Sequence, residues 1–187
     1  MYEVELKVRA VHDPVREQLA AMDADHVGRV TQVDTYYDAP DRDFAATDEA
    51  FRVRHEVDDD DGAGDGGRTL LTYKGPLVDD RSKTREEAET RVADEEAIRD
   101  ILGGLGYDPA ATVRKERDRY EVADCRVTLD RVVDLGEFVE VEHHEAVAED
   151  DIDAARETVT DLLVDLGLDP GEAIQTSYLG LLLAQQQ

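Results

Sequence analysis

The segment MYEVELKVRA, residues 1–10, alternates apolar and charged side chains. Side chains point alternately to the two faces of an extended strand, so the alternation predicts a strand over about residues 2–10. The apolar face of this strand is formed by Tyr2, Val4, Leu6 and Val8. The charged face carries Glu3, Glu5 and Lys7, and it points either to solvent or into a site that uses two carboxylates and a lysine.

Seven further segments divide in the same way, and together they set the fold class. In one of them Val53 alternates with Arg52 and Arg54, and in another Val141 lies between Glu140 and Glu142. The additional predicted strands cover residues 27–40, 49–57, 68–76, 82–92, 112–122, 125–133 and 136–146. Short strands in close succession predict an α+β fold built on an eight-stranded antiparallel β-barrel. The aspartate- and glycine-rich run at residues 58–67 is predicted as a hairpin loop.

Helices predicted between the strands are able to cover their apolar faces. They span residues 12–24, 94–106 and about 150–185. The first is expected to begin with Asp13 as N-cap and Pro14 at its first position, and the second with Asp94 as N-cap. Packing the helices outside turns the charged strand faces inward and gives a charged tunnel in a single domain over residues 1–187.

The alternative to a charged tunnel is a barrel with an apolar interior and a charged outer face. This alternative is less favoured because the charged faces are rich in Arg and Lys. The outer surface of a chain with a net charge of -26 should be acidic instead.

The net charge also limits the partners and the environment of the chain. With 47 acidic residues against 21 Lys and Arg, its field repels nucleic acid and anionic membranes, so neither is an expected partner. Such acidity is typical of proteins that stay soluble at very high salt. A halophilic, haloarchaeon-like origin is therefore a hypothesis, which unfolding in dilute buffer would support. Cys125 is the single cysteine, and neither a membrane span nor a secretory signal is visible, so a cytoplasmic location is expected.

The charged strand faces contain every lysine of the chain, although lysines are few. The predicted inward cations are Lys7, Arg9, Arg52, Arg54, Lys74, Lys83, Arg85, Lys115 and Arg117. The predicted inward acids are Glu3, Glu5, Glu140 and Glu142. Because the first and last strands of a closed barrel are neighbours, these four carboxylates are expected to meet on one wall.

This division of charge predicts a class of ligand. Four neighbouring carboxylates need neutralisation, and Mg²⁺ or Mn²⁺ prefers such oxygen ligands. The opposite wall of Arg and Lys suits a chain of phosphates. A metal ion and cations around a phosphate chain stabilise the charge that develops in phosphoryl or nucleotidyl transfer. The residues therefore predict a metal-dependent site for a triphosphate compound.

Several motifs, taken in order, resemble one known family. The segment EVELK (residues 3–7) is similar to the E-x-E-x-K signature of the CYTH superfamily, also called triphosphate tunnel metalloenzymes. The other matching segments are DTYYDAPDRDFAATDEAFRVR (34–54), LTYKGPLVDDRSKTREE (71–87), VRKERDRY (113–120), VTLD (127–130) and GEFVEVE (136–142). Within the superfamily, the chain most resembles the class IV adenylyl cyclase branch.

The resemblance implies roles for particular residues, with Mg²⁺ or Mn²⁺ as the cofactor. The implied metal wall is formed by Glu3, Glu5, Glu140 and Glu142, with Glu5 and Glu142 as the direct ligands. The implied triphosphate-binding residues are Lys7, Arg52, Arg54, Lys74, Arg85, Lys115 and Arg117. The candidate catalytic residues are Lys74, Lys115, Asp130 and Tyr36. Asp130 is expected to orient a metal-bound water or the attacking group, and Tyr36 is expected to pair with Lys74. A homodimer is the assembly that the resemblance favours.

The motifs leave the reaction itself open. An adenylyl cyclase, which converts ATP into cyclic AMP and pyrophosphate, is the first expectation, and an inorganic tripolyphosphatase or a thiamine-triphosphatase-like hydrolase is the alternative. A non-catalytic binder of nucleotide or polyphosphate fits less well, because binding alone does not need so many metal ligands. Only Met1 and Tyr2 precede the E-x-E-x-K motif, so base recognition and product choice are open.

Overall fold

The computed structural model of the protein describes residues 2–59, 67–76 and 83–185. In this part the chain forms a closed antiparallel barrel of eight strands, which confirms the predicted fold. The strands are β1 (Tyr2–Arg9), β2 (Asp25–Asp38), β3 (Ala50–Asp58), β4 (Arg68–Lys74), β5 (Lys83–Val92), β6 (Asp108–Val122), β7 (Cys125–Val132) and β8 (Gly136–His143). The described helices are α1 (His12–Ala21), α2 (Phe44–Thr47), α3 (Glu95–Gly104), α4 (Ile152–Asp165) and α5 (Tyr178–Gln185). Residues 60–66 of the predicted hairpin loop lie outside the described residues.

Strand β1 closes the barrel by pairing with two strands that are distant in sequence. The order around the barrel is β1-β5-β4-β3-β2-β6-β7-β8, with β8 returning to β1. The register places Glu5 opposite Glu142 and Lys7 opposite Glu140. The predicted meeting of the first and last strands is therefore confirmed, and it brings their charged faces together.

The main apolar cluster lies outside the barrel, between the strands and helices α1 and α4. Leu6 and Val8 of β1 form one buried cluster with Leu19 of α1 and Leu163 of α4. Burial of each such side chain stabilises the fold by roughly 1.5–3 kcal/mol. The charged faces of the strands line the interior of the barrel, where Lys7 is only 1% exposed. The alternative with an apolar barrel interior is therefore wrong.

Two helix starts differ in how well local sequence predicts them. Asp94 caps α3 as predicted, because its side chain accepts a hydrogen bond from the backbone N–H of Ala97 at 2.9 Å. The predicted Asp13 cap is wrong, since α1 already begins at His12 and its N-cap residue makes no side-chain cap bond. The buried ring of His12 lies 3.0 Å from the backbone oxygen of Phe138. Contact with β8 therefore fixes this helix start in place of a side-chain cap.

The C-terminal region returns to the barrel between its two helices. After α4, a short 3-10 turn covers Pro170–Glu172, and the N–H of Ile174 then donates to the backbone oxygen of Lys7 at 2.7 Å. This bond places α5 over one end of the barrel, where the ring centroids of Tyr178 and Phe138 are 5.0 Å apart. None of the helices in the described ranges has the length and hydropathy needed to cross a bilayer.

Asp118, on the outer face of β6, joins α1 to the barrel. Its buried carboxylate pairs with Arg16 of α1 and with Arg29 of β2. Because both guanidinium groups would lose a charged partner, Asp118→Asn is expected to lower the free energy of unfolding by about 1–3 kcal/mol. Denaturant unfolding measures the change, and Glu116→Ala, at an exposed position of the same strand, is the control. Equal unfolding midpoints for the two variants would contradict this role.

Candidate active site

The inward faces of the strands line a cavity of about 310 Å³, which is a size typical of ligand pockets. The predicted triphosphate-binding cations all line it, namely Lys7, Arg52, Arg54, Lys74, Arg85, Lys115 and Arg117. The predicted metal-wall residues Glu3, Glu5, Glu140 and Glu142 line it too, together with Tyr36. Asp130 is not among the described residues that line the cavity, and the side chain of Lys83 lies outside the described part of the chain.

The carboxylates of β1 and β8 form one wall of the cavity. Glu5 and Glu142 are directly opposite each other in the β1–β8 register, and Glu3 lies one inward position further along β1. Burial, followed by the nearby carboxylates of Glu3 and Glu5, raises the pKa of Glu142 to about 9. Burial and the crowding of like charges therefore leave a proton on this wall at neutral pH, which a divalent cation would displace.

Cations of the tunnel hold at least two of the wall carboxylates among the described residues. Lys74 Nζ lies 2.7 Å from Glu3, and Arg117 Nη2 lies 2.6 Å from Glu140. No group of three metal-ligating side chains is assembled among the described residues. This donor set nevertheless fits Mg²⁺, which proteins usually bind through one or two carboxylates while water and substrate phosphate complete its coordination. Glu5 and Glu142, the two predicted direct ligands, face each other in the β1–β8 register.

Asp34 organises the cations on the opposite side of the tunnel. It is fully buried, and its carboxylate accepts two hydrogen bonds from Arg54, at 2.6 and 2.8 Å. Arg52 lies 3.4 Å away and Lys115 lies 3.7 Å away. Burial alone would raise the pKa of Asp34, but these three cations hold it well below its usual range. Asp34 therefore stays ionised and fixes three phosphate-binding candidates around one point.

Asp130 has a similar position behind Arg117. Its two oxygens accept hydrogen bonds from Nε and Nη2 of Arg117 at 2.7 and 2.6 Å, and one of them also accepts from the hydroxyl of Tyr178 at 2.8 Å. Asp130 is fully buried. This geometry makes Asp130 a positioning residue for Arg117, and it differs from the predicted contact with the attacking group.

Tyr36 and Lys74 do not form the predicted pair. The hydroxyl of Tyr36 accepts a hydrogen bond from Arg52 at 3.5 Å, while Lys74 Nζ contacts Glu3 and Glu87 at 2.7 and 2.8 Å. Strand register explains the difference. Tyr36 is opposite Arg52 in the β2–β3 pair, whereas Lys74 is opposite Glu87 in the β4–β5 pair.

Tyr178 of α5 is a site residue that the sequence did not reveal. Its ring lies 4.2 Å from Lys7 Nζ and 5.1 Å from Lys115 Nζ, which is within the range of cation–π contacts. Lys7 Nζ also donates to the backbone oxygen of Thr176 at 2.7 Å. The C-terminal segment thus covers one end of the tunnel. An apolar helix of this kind carries no local pattern that distinguishes such a role from ordinary packing.

Lys115 is buried beside other cations of the tunnel. Burial, followed by Arg117 and Arg54, lowers the pKa of Lys115 to about 7. A polyanion bound beside Lys115 would favour its charged form. Burial and neighbouring like charges thus disfavour the charged forms of both Glu142 and Lys115.

Further lining residues were visible in the alternation but were not assigned to the site. Arg119 follows Lys115 and Arg117 at alternate positions of β6, and Gln32 precedes Asp34 in the same way on β2. Alternation does not predict the contacts that hold the side chain of Arg85. Its Nη1 and Nη2 contact the backbone oxygen and the carboxylate of Asp48, both at 2.9 Å.

The family model of the CYTH domain matches residues 1–178. The fold and the lining of the tunnel agree with this match. The chain belongs to the CYTH domain family.

Relatives with known names extend over nearly the whole chain. A Methanocaldococcus jannaschii protein named "Putative adenylate cyclase" is 36% identical over 183 residues, which cover 97% of this chain and 98% of the relative. The adenylate cyclase CyaB of Aeromonas hydrophila is 29% identical over 182 residues, which cover 95% of this chain and 86% of the relative.

Solved structures share the same architecture. The PH1819 protein of Pyrococcus horikoshii superposes with a TM-score of 0.88 at 35% identity, covering 98% of this chain and 99% of that one. A protein from Hippeastrum superposes with a TM-score of 0.66 at 15% identity, covering 98% of this chain and 95% of that one. At that lower identity, the second likeness concerns the fold alone.

Proposed function

We propose that this protein is a metal-dependent enzyme that acts on a triphosphate, and that its reaction is the conversion of ATP into cyclic AMP and pyrophosphate. One observation carries the proposal: a carboxylate wall and a wall of Lys and Arg face each other in a single cavity. A triphosphate with a divalent cation has the complementary charges. The choice of the cyclase reaction is supported by the names of the Methanocaldococcus and Aeromonas relatives.

The residues divide the work of such a reaction. Glu5 and Glu142 would hold Mg²⁺ or Mn²⁺, which supplies positive charge at the phosphate chain and lowers the pKa of an attacking hydroxyl. Arg54, Lys115 and Arg117 bind phosphate oxygens and stabilise the negative charge that develops on the leaving pyrophosphate. Because buried Asp34 and Asp130 hold these cations in place, the cations need little rearrangement during the reaction.

The C-terminal segment contributes by restricting the access of water. Thr176 and Tyr178 contact Lys7 at one end of the tunnel. A covered end strengthens the interaction of the neighbouring cations with a phosphate chain, since less water screens them. Exclusion of water also favours attack by a hydroxyl of the substrate itself over hydrolysis.

Hydrolysis of a triphosphate is the second candidate, because the same walls would serve a water molecule that attacks the terminal phosphorus. The Hippeastrum protein, which shares this fold, is described as a "putative adenylyl cyclase" with a dominant triphosphatase activity. Inorganic tripolyphosphate and thiamine triphosphate are the substrates that this candidate adds to ATP.

One assay separates the candidates. The protein is incubated in molar KCl with Mg²⁺ or Mn²⁺ and, separately, with ATP, tripolyphosphate or thiamine triphosphate. The cyclase reaction is expected to yield cyclic AMP and pyrophosphate from ATP. Orthophosphate released from tripolyphosphate, with no cyclic AMP from ATP, would overturn the cyclase and support the hydrolase.

We also propose that the protein works in a salt-rich cytoplasm. The net charge of -26 supports high salt, because screening is needed to limit self-repulsion. Burial raises the pKa of the Cys125 thiol to about 11, so this cysteine stays protonated and unreactive.

A further inference from the structure

A cluster of polar side chains lies in the tunnel away from the end that α5 covers. It consists of Gln32, Glu56, Arg68 and Arg119, and we call it the Glu56 cluster. Along β2 and β3, three opposed pairs lead from the covered end towards it, in the order Tyr36 and Arg52, Asp34 and Arg54, Gln32 and Glu56. The Glu56 cluster is thus one inward position, about 7 Å, beyond the cations around Asp34.

Glu56 is the centre of these contacts. Its carboxylate accepts hydrogen bonds from Nε2 of Gln32 and from Nη2 of Arg68, and Arg119 Nη1 lies 3.9 Å away. Burial alone would raise the pKa of Glu56, but the bonds from Gln32 and Arg68 lower it. The carboxylate is therefore ionised at neutral pH. Because it only accepts hydrogen bonds, it fixes the Gln32 amide with Nε2 towards Glu56.

Two buried atoms of the cluster have no hydrogen-bond partner within the described ranges. They are the acceptor Oε1 of Gln32 and the donor Nε of Arg119. Gln32 is only 2% exposed, so bulk water does not readily satisfy its amide oxygen. Buried polar atoms are nearly always paired, and an unpaired one is costly. The Glu56 cluster thus presents an acceptor, Oε1 of Gln32, and a donor, Nε of Arg119, to a ligand in the tunnel.

These two atoms are poorly suited to a phosphate. An ionised phosphate has acceptor oxygens only, which the amide oxygen of Gln32 and the carboxylate of Glu56 would repel. A suitable ligand must present an N–H donor next to a lone-pair acceptor. The amino edge of adenine does so, because its 6-amino group donates and the adjacent ring nitrogen accepts. Leu70 lines the cavity as well and adds apolar surface for a flat ring.

We propose that the Glu56 cluster is the nucleobase subsite of the tunnel. In it, Oε1 of Gln32 accepts from the 6-amino group of adenine, and Nε of Arg119 donates to a neighbouring ring nitrogen. The inference rests on the proposed function, since it needs a triphosphate held by the cations around Asp34. It deepens that function by making an adenine nucleotide, and not inorganic tripolyphosphate, the ligand that the whole tunnel fits.

The first test uses the unaltered protein and three ligands. Binding of ATP, of purine riboside triphosphate and of tripolyphosphate is measured by calorimetry in molar KCl with Mg²⁺. Purine riboside triphosphate differs from ATP only by lacking the 6-amino group. Because it would leave the amide oxygen of Gln32 unpaired, it is expected to bind about tenfold to a hundredfold more weakly than ATP.

The second test uses Gln32→Leu, which keeps the approximate size of the side chain and removes both its acceptor and its donor to Glu56. This variant is expected to bind ATP as weakly as it binds purine riboside triphosphate, while its affinity for tripolyphosphate is unchanged. Gln18→Leu, at an exposed position of α1, is the matched control and should keep the full preference for ATP.

The outcomes separate this inference from the proposed function. If the unaltered protein binds tripolyphosphate and binds ATP and purine riboside triphosphate equally well, the nucleobase subsite is overturned and the triphosphate site stands. An equal loss of ATP and tripolyphosphate in Gln32→Leu would likewise overturn it. If none of the three ligands binds with Mg²⁺, the proposed function fails and the inference fails with it.

Discussion

Glu5→Ala is expected to abolish metal-dependent turnover, lowering kcat/KM by about a thousandfold or more, because a bound metal ion contributes several kcal/mol of charge stabilisation. Glu5 faces Glu142 across the β1–β8 pair, at the point where the first and last strands close the barrel. Removal of one of these two carboxylates would leave too few protein ligands to hold Mg²⁺. Initial rates over a range of Mg²⁺ concentrations measure the effect.

The barrel itself should tolerate this substitution. Glu5 is one of the carboxylates that raise the pKa of Glu142, so its loss relieves repulsion in the metal-free protein and the variant should remain folded. Glu116→Ala, on the outer face of β6, is the matched control and should keep full activity. A Glu5→Ala protein that turns over at the normal rate would show that the metal ligands lie elsewhere.

The sequence predicted the tunnel because two independent regularities agreed. Alternation in the strands separated apolar from charged faces, and the charged faces held every lysine of an otherwise acidic chain. Only helices packed outside a barrel satisfy both regularities, as Leu6 beneath α1 and α4 and Lys7 within the tunnel illustrate. Closure of the barrel then predicted that β1 and β8 are neighbours, and the structure supplied their register.

Other parts of the site depend on contacts that alternation does not encode. Alternation places Asp130 on the inner face of β7. It does not predict that Arg117 and Tyr178 donate hydrogen bonds to the Asp130 carboxylate oxygens. Tyr178 belongs to a helix far along the chain, and its approach to Lys7 depends on the bond between Ile174 and the backbone of β1. The pairing of Tyr36 failed for a related reason, because side-chain partners depend on which strands are adjacent.

The stability of the metal-free protein is expected to fall as the pH rises from about 6 to 8, and Glu142 is expected to cause part of this fall. Burial and the carboxylates of Glu3 and Glu5 raise its pKa from 4.5 to about 9. Between these values the folded protein keeps a proton that the unfolded chain releases. The free energy of unfolding therefore falls as the pH rises, by up to about 1.4 kcal/mol per pH unit.

Thermal unfolding at constant KCl with a chelator, at pH 6, 7 and 8, measures this slope. Glu142→Gln is the matched variant, because glutamine has the same shape as glutamate and does not titrate. All other titrating groups contribute equally to the slope in both proteins, so the difference between the two slopes is the contribution of Glu142. The variant should show the shallower slope. Identical slopes would contradict the raised pKa of Glu142.

Mg²⁺ should have the opposite dependence on pH, because it must displace the proton of Glu142 in order to bind. Its affinity is expected to rise by up to about tenfold per pH unit below pH 9, with release of close to one proton per ion. Titration calorimetry in two buffers of different ionisation enthalpy counts that proton. Tight binding at pH 6 without proton release would place the ion away from Glu142. An ion bound elsewhere would leave the repulsion among Glu3, Glu5 and Glu142 in place, because these carboxylates share one wall.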